Sequence, residues 1–238
     1  MTRPQATSVI PARNEAATIA EVVRGCLAQP GIAEVIVVDD ASTDGTATAA
    51  TAAGATVLRS ETPLGKGAAM RLGMAHARGD TIVLLDGDGQ DPPGDIPRLL
   101  AALEHGAELA IGSRFLGTFE PGAITAVDRF GNRALSRVLD RLYGVALTDT
   151  QAGFRAIRRT LLERLELRAR HFEIETELLV RSLQAGATVV EVPVSRRPRR
   201  AGTSRLRRIP DGLRILGCML WLRRAGPASV AIVRPSPR

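Results

Sequence analysis

Thr81-Ile-Val-Leu-Leu-Asp86-Gly87-Asp88-Gly89-Gln90-Asp91-Pro92-Pro93 is the stretch on which the fold turns. Residues 81–85 are β-branched or apolar with no breaker among them, which predicts a buried strand. At its end the chain becomes abruptly acidic and glycine-rich. Alternate residues of an extended chain point to one side. Asp86, Asp88 and Gln90 can therefore offer hard oxygen donors together, while Gly87 and Gly89 let the backbone come close. Such donors suit Mg²⁺ or Mn²⁺, ions usually shared with a substrate's phosphates. The competing reading is a polar loop that caps the next helix, with Asp95 as N-cap.

Working toward the N-terminus, Thr56-Val-Leu-Arg59 and Glu34-Val-Ile-Val-Val-Asp39 read as strands, the latter continuous enough for a sheet covered on both faces. Thr7-Ser-Val-Ile-Pro11 is a shorter strand that stops at a proline, and Asn14 is the expected cap of the helix that follows. Ile19, Val22, Val23, Cys26 and Leu27 form one apolar helix face. Ser42 or Thr43 is expected to cap an alanine-rich helix, and residues 68–77 another. The pattern βαβαβαβ, with polar chemistry after nearly every strand, predicts an α/β fold with an open, mostly parallel sheet. Ligands bind at the carboxyl ends of such strands. Pro11 to Glu15, Asp39 with Asp40, and Asp86 to Gln90 should therefore converge on one crevice.

Toward the C-terminus, residues 109–112 predict a strand leading to Arg114, with Arg129 and Arg133 flanking Asn132 ahead of a helix. Residues 188–194 predict a late strand. The last 44 residues hold twelve arginines against one acid, Asp211, whereas residues 1–194 carry 20 basic and 24 acidic groups. The expected division is thus a catalytic domain over 1–194 and a basic tail over 195–238. That tail is expected to be mobile without ligand and to carry a short helix over 211–224. Aromatic residues make up 3% of the chain, and the tail has only Trp221, so no stacking platform for nucleic acid is expected. Arginines beside an apolar helix instead suit an anionic membrane surface or a phosphate-bearing substrate. Docking of the helix on its own domain is the alternative.

Two distant cysteines fit a reducing compartment, and three scattered histidines give no zinc spacing. The polar first residues predict no signal peptide, and the longest apolar run, 215–222, is too short to span a bilayer. The expected location is cytoplasmic, peripheral at the inner face of the membrane.

Several of these segments together resemble the inverting, nucleotide-sugar-dependent glycosyltransferases of family 2, which have the GT-A fold. The nearest branch is that of the dolichyl- or polyprenyl-phosphate hexose synthases. The resemblance is carried in order by Pro11-Ala-Arg-Asn14-Glu15, Val38-Asp39-Asp40-Ala-Ser42-Thr-Asp44-Gly45-Thr46, Gly65-Lys66-Gly67-Ala68 and Asp86-Gly-Asp88-Gly-Gln90-Asp-Pro92. It continues through Gly112-Ser113-Arg114-Phe115, Asp149-Thr-Gln151-Ala-Gly153-Phe154-Arg155, Phe172-Glu173-Ile-Glu175, Glu191-Val-Pro193-Val and Arg200-Ala-Gly202-Thr-Ser204-Arg205. Gly87 stands where the family often has alanine, and Arg205 where lysine is common.

The resemblance implies a nucleotide site formed by Pro11, Arg13, Glu15, Asp40, Lys66 and Asp86, with Asp40 accepting from a uracil or guanine ring N–H. It implies a divalent ion on Asp86, Asp88 and Gln90. It also implies transfer of a hexose from a UDP- or GDP-sugar to a polyprenyl phosphate held by Arg114, Arg129, Arg200 and Arg205. Asp149 is either a general base, needed if the acceptor is a hydroxyl, or the residue that orients an arginine. The catalytic set expected is therefore Asp88, Arg114 and Asp149. A soluble or polysaccharide acceptor with the same donor is the second reading. A sugar-phosphate nucleotidyltransferase and a basic-tailed nucleic-acid binder are more distant ones.

Overall fold

The computed structural model describes residues 5–203, 207–226 and 233–234. From the N-terminus, β1 (Ala6–Ala12), α1 (Ile19–Leu27), β2 (Ile32–Asp40), α2 (Thr46–Ala52), β3 (Thr56–Ser60), α3 (Lys66–His76) and β4 (Thr81–Leu84) alternate strictly. A single 3-10 turn then leads into α4 (Ile96–Glu104), β5 (Leu109–Phe119) and α5 (Ala126–Tyr143). The chain continues through β6 (Arg155–Arg158), α6 (Arg159–Leu162), α7 (Ile174–Gln184), β7 (Val189–Arg196), α8 (Arg208–Ala225) and the two-residue β8 (Val233–Arg234).

All strands lie in one sheet, in the order β3-β2-β1-β4-β6-β5-β7-β8. Every pairing is parallel except the two made by β6, which runs antiparallel between β4 and β5. Strand alternation sorts the apolar side chains to two faces. Val9, Ile36, Val38, Ile82 and Leu84 pack under Met70 and Met74 of α3 and, further on, the apolar face of α7. Ile10, Val35, Val37, Val83 and Leu85 pack under Ile19, Val22, Val23 and Cys26 of α1 and Ile96, Leu99 and Leu103 of α4. Both faces are covered, as a parallel sheet requires, and the carboxyl ends of β1, β2 and β4 emerge on one edge.

Several local expectations are corrected. Asn14 does not cap α1; it sits at φ 56° and its side chain accepts from the Thr43 amide (2.8 Å), while Thr18 precedes the helix. The left-handed backbone there suits Asn and ties the first strand end to the second. Ser42 is likewise spent on that loop, accepting from the Asn14 amide (2.9 Å), and Asp44 serves the start of α2 by accepting from the Thr46 amide (3.0 Å). Asp95 does hold the N-cap position of α4, but its side chain makes no capping bond and accepts from the Ser195 amide (2.7 Å). Arg129 and Arg133 lie inside α5, not ahead of it, because Thr125 caps that helix through the Asp128 amide (3.1 Å). The late strand passes Val194 to Arg196, so the expected domain boundary falls within β7. The tail helix starts at Arg208 with Pro210 in its first turn, where a missing N–H costs nothing. It is docked: Ile215, Met219 and Leu222 are buried against α5 and α7, while Leu213, Leu220 and Trp221 remain exposed.

Candidate active site

The strand ends open into one cavity of about 920 Å³. Pro11, Arg13 and Glu15 reach it from the end of β1, Asp40 from β2, Lys66 from the start of α3, and Asp86, Asp88, Gln90 and Asp91 from the loop after β4. Arg114 enters from β5, and Arg196 and Arg199 from the end of β7 and beyond. Segments more than a hundred residues apart thus share one wall.

Lys66 is the hinge of the acidic side. Its Nζ lies 2.7 Å from both Asp86 and Glu175, and 5.6 Å from the Phe172 ring centroid. Burial alone would favour the neutral amine, but Asp86 and Glu175 outweigh it and hold the lysine protonated. Asp86 in turn is kept ionised: burial opposes its charge, and Lys66, then Arg196 and Arg199, overcome that opposition. Asp88 is different. Burial, reinforced by Asp86, pushes it up to about 6 against the pull of Arg196 and Arg199.

The residues after β7 lie across this loop. Arg196 donates to Asp91 and to the Gln90 side-chain oxygen (2.9 Å), and the Arg197 amide donates to the Gln90 carbonyl (2.9 Å). Arg199 spans two acids, Asp88 at 2.6 Å and Glu15 at 3.1 Å. The chain through residue 200 is therefore tethered, which corrects the expectation of a loose tail. Gln90 does not join Asp86 and Asp88 as a third oxygen donor here: its oxygen takes Arg196 and its amide nitrogen donates to the Arg197 carbonyl (3.0 Å). The alternation rule fails because the loop is no longer extended, with Gly89 at φ 72°.

Among the described residues no cluster of three His, Cys, Asp or Glu side chains stands ready as a metal site. The donor set nevertheless fits a divalent ion. Two carboxylates on one loop with an excess of negative charge, now met by the Arg199 guanidinium, are what a hard cation completes together with phosphate oxygens. Asp40 is already partly committed, because its carboxylate accepts from the Leu64 and Gly65 amides and so shapes the loop before α3.

The wall of the cavity that carries Arg114 is built on a buried pair. Asp149 is fully buried and accepts from the Arg114 amide (3.1 Å), Nε (2.6 Å) and Nη2 (2.7 Å). Glu191 holds it there from behind, accepting from the Asp149 amide (2.8 Å) and the Thr148 amide (2.8 Å). Arg114 lines the cavity and Asp149 does not. Neither Arg129 nor Arg200 lines the cavity: Arg129 lies over the Phe119 ring, 4.7 Å from its centroid, and Arg200 pairs with Glu21 of α1 (2.6 Å). Arg205 lies outside the described residues.

Four contributors had no site role assigned from the sequence. Glu175 and Arg208 line the cavity. Arg155 is wholly buried and donates to the carbonyls of Ala152 (2.7 Å), Glu175 (2.7 Å) and Thr150 (2.8 Å), fixing the loop behind Arg114. Glu191 sets Asp149. Of these, Glu175, Arg155 and Glu191 each stand in a segment that carries the family resemblance, and only Arg208 does not.

With this geometry in place, comparison with known proteins is decisive. The family model described as Glycosyl transferase family 2 matches residues 7–166. The chain belongs to glycosyl transferase family 2. A glycosyltransferase named AglJ from Haloferax volcanii is 36% identical over 215 residues, covering 89% of this chain and 70% of that protein. The polyprenol monophosphomannose synthase of Mycolicibacterium smegmatis is 33% identical over 83% of this chain and 79% of its own. Among solved structures, glucosyl-3-phosphoglycerate synthase from Mycobacterium tuberculosis, in complex with Mn²⁺, UDP and glucosyl-3-phosphoglycerate, superposes with a TM-score of 0.72 at 26% identity over 95% of this chain and 82% of that one. The fold is of the GT-A type, and the enzyme class is a glycosyltransferase. No helix among the described residues is long and apolar enough to cross a membrane.

Proposed function

We propose that this glycosyltransferase moves a hexose from a UDP- or GDP-sugar to a polyprenyl phosphate. The observation that carries the acceptor half is the commitment of Asp149 to Arg114. Both of its oxygens are used and it does not face the cavity, so it orients a cation and is not placed to remove a proton. Every carboxylate lining the cavity among the described residues also engages a cation or backbone amides through at least one oxygen, with Asp91 Oδ2 and Glu175 Oε2 left buried without a hydrogen-bond partner. Asp86 and Glu175 hold Lys66, Asp88 and Glu15 hold Arg199, Asp91 holds Arg196, Asp128 holds Arg208, and Asp40 holds backbone amides. An acceptor that already carries an anionic oxygen needs no base, only in-line placement.

In this reading Arg114, set by Asp149 and Glu191, receives the acceptor phosphate through its guanidinium fork. Pro11, Arg13 and Asp40 border the nucleoside, and Lys66 and Arg199 face its diphosphate. A phosphate oxygen attacks the anomeric carbon from the side opposite the diphosphate. The C–O bond to the nucleoside diphosphate breaks and takes its electron pair, so configuration inverts. Asp86 and Asp88 would hold a Mg²⁺ or Mn²⁺ ion, which when bound spreads the charge of the leaving diphosphate. The similar solved synthase bound to Mn²⁺ and UDP, and the similar polyprenol monophosphomannose synthase, support the two halves of this reading. Arginines on the tail would favour peripheral contact with an anionic membrane.

A soluble phosphorylated acceptor is the second reading, favoured by the glucosyl-3-phosphoglycerate found in the solved relative. A panel of UDP- and GDP-hexoses with Mn²⁺, offered short polyprenyl phosphates and 3-phosphoglycerate in parallel, separates the two. A labelled product that partitions into organic solvent is expected; product from the soluble acceptor alone would overturn the first reading.

A further inference from the structure

Helices α5 and α8 run side by side and are tied at both ends. Arg208 donates to Asp128 (2.9 Å) at their N-terminal ends, and the Tyr143 hydroxyl donates to the Met219 carbonyl (2.7 Å) further along. Between these ties each helix carries one interior glycine that lines the cavity holding the site, Gly131 in α5 and Gly212 in α8, whereas the second glycine of α8, Gly217, does not line it. Glycine inside a helix is destabilising relative to alanine. Neither glycine is needed for close packing, since a Cβ at either position would meet no heavy atom within 4 Å. Neither has positive φ. What they do is leave a gap, with Leu135 and Ile215 as its apolar walls.

The gap has a polar and an apolar end. Inward it joins the chamber bordered by Arg114. Outward it reaches Val127, which lines the cavity and is 62% exposed, and the same two helices expose Phe130 (72%), Ile209 (75%) and Leu213 (64%) nearby in sequence. An apolar slot continuous with an arginine-lined chamber matches one kind of molecule, a phosphate head on a hydrocarbon chain. We infer that the slot between α5 and α8 binds the hydrocarbon chain of the acceptor, and that Gly131 and Gly212 keep it open. This rests on the reading above that the acceptor carries a phosphate, and adds that its chain is recognised by the protein itself and not only by a surrounding membrane.

The test compares octyl phosphate with ethyl phosphate by calorimetry, below the micelle threshold, in the presence of UDP and Mn²⁺. Each buried methylene strengthens binding about fourfold, so burial of three or four of the six additional ones gives octyl phosphate an advantage of about a hundredfold. Gly131→Leu and Gly212→Leu fill the slot and should cut that advantage to about tenfold or less. Gly217→Leu places the same side chain on an exposed part of α8 outside the cavity and should leave it intact. Leucine raises helix propensity at all three positions, and circular dichroism with the UDP titration checks the fold of each. Leu135→Phe is a second narrowing variant if either leucine variant fails to fold. No preference for octyl phosphate in the wild-type protein, or an equal loss in the Gly217 control, overturns the inference. If UDP with Mn²⁺ binds in that same experiment, the donor reading stands although the slot has failed. If octyl phosphate is preferred but UDP does not bind, the slot stands and the donor reading falls.

Discussion

Replacing Asp149 with asparagine separates a base from an orienting carboxylate. The substitution keeps the shape and removes the charge. Asparagine retains one acceptor oxygen for the three donors of Arg114, so at least one charge-assisted bond is lost from the set at 2.6, 2.7 and 3.1 Å. Such a bond contributes about 1.5–3 kcal/mol, and leaving a buried cation without its partner costs about 3–5 kcal/mol. For a chain of this length that lowers Tm by roughly 6–20 °C. Differential scanning calorimetry reads the stability, and steady-state kinetics on a polyprenyl phosphate reads the function. The expected pattern is a lower Tm, a raised acceptor KM, and a pH–rate profile of unchanged shape, because no proton passes through Asp149. A double-mutant cycle with Arg114→Met should show coupling, since the second change removes the stranded charge. Unchanged Tm with kcat abolished and the rising limb of the pH profile lost would show that Asp149 is a base after all.

Three further outcomes follow from the same contacts. Arg199→Ala frees Asp88 and Glu15, so Mn²⁺ alone should bind about tenfold tighter in calorimetry, the equivalent of one charge-assisted bond; unchanged affinity would mean that the arginine does not compete for the ion. Asp88, pushed up to about 6, binds its proton more tightly folded than unfolded. Stability therefore falls as pH rises from about 4, the unfolded value, to about 6. Without divalent ion the Tm advantage of Asp88→Asn over wild type should grow across that window and then level off; an advantage that shrinks with rising pH would contradict the burial argument. Arg155→Lys loses at least one of three buried carbonyl contacts and should lower Tm by roughly 5–10 °C, while an unchanged melt would show that the loop does not depend on it.

Much of this fold is legible in the sequence because a parallel sheet covered on both sides writes itself as apolar runs. Residues 35–38 and 81–85 are such runs, and Asp40, Asp86, Asp88 and Gln90 just beyond them line the cavity. What escaped were places where tertiary contact overrides local pattern. Strand β6 reads Arg-Ala-Ile-Arg, and its first arginine, buried to satisfy three carbonyls, looks in sequence like a surface residue. Asn14 has the composition of a helix cap but is used to clasp a second loop. The alternation that aligned Asp86, Asp88 and Gln90 assumes an extended chain, and Gly89 ends that assumption. The tail's arginines gave a correct charge but no partners, because Asp88, Asp91 and Glu15 lie more than a hundred residues away.

Convergence of the ends of β1, β2 and β4 on one diphosphate, gripped through a cation, is tested most directly by titrating UDP and GDP in a calorimeter with Mn²⁺ and again with chelator. One of the two nucleotides should bind in the presence of Mn²⁺, lose most of its affinity with chelator, and lose it equally in a folded Asp88→Ala variant. Affinity that ignores both the ion and Asp88 would contradict that convergence.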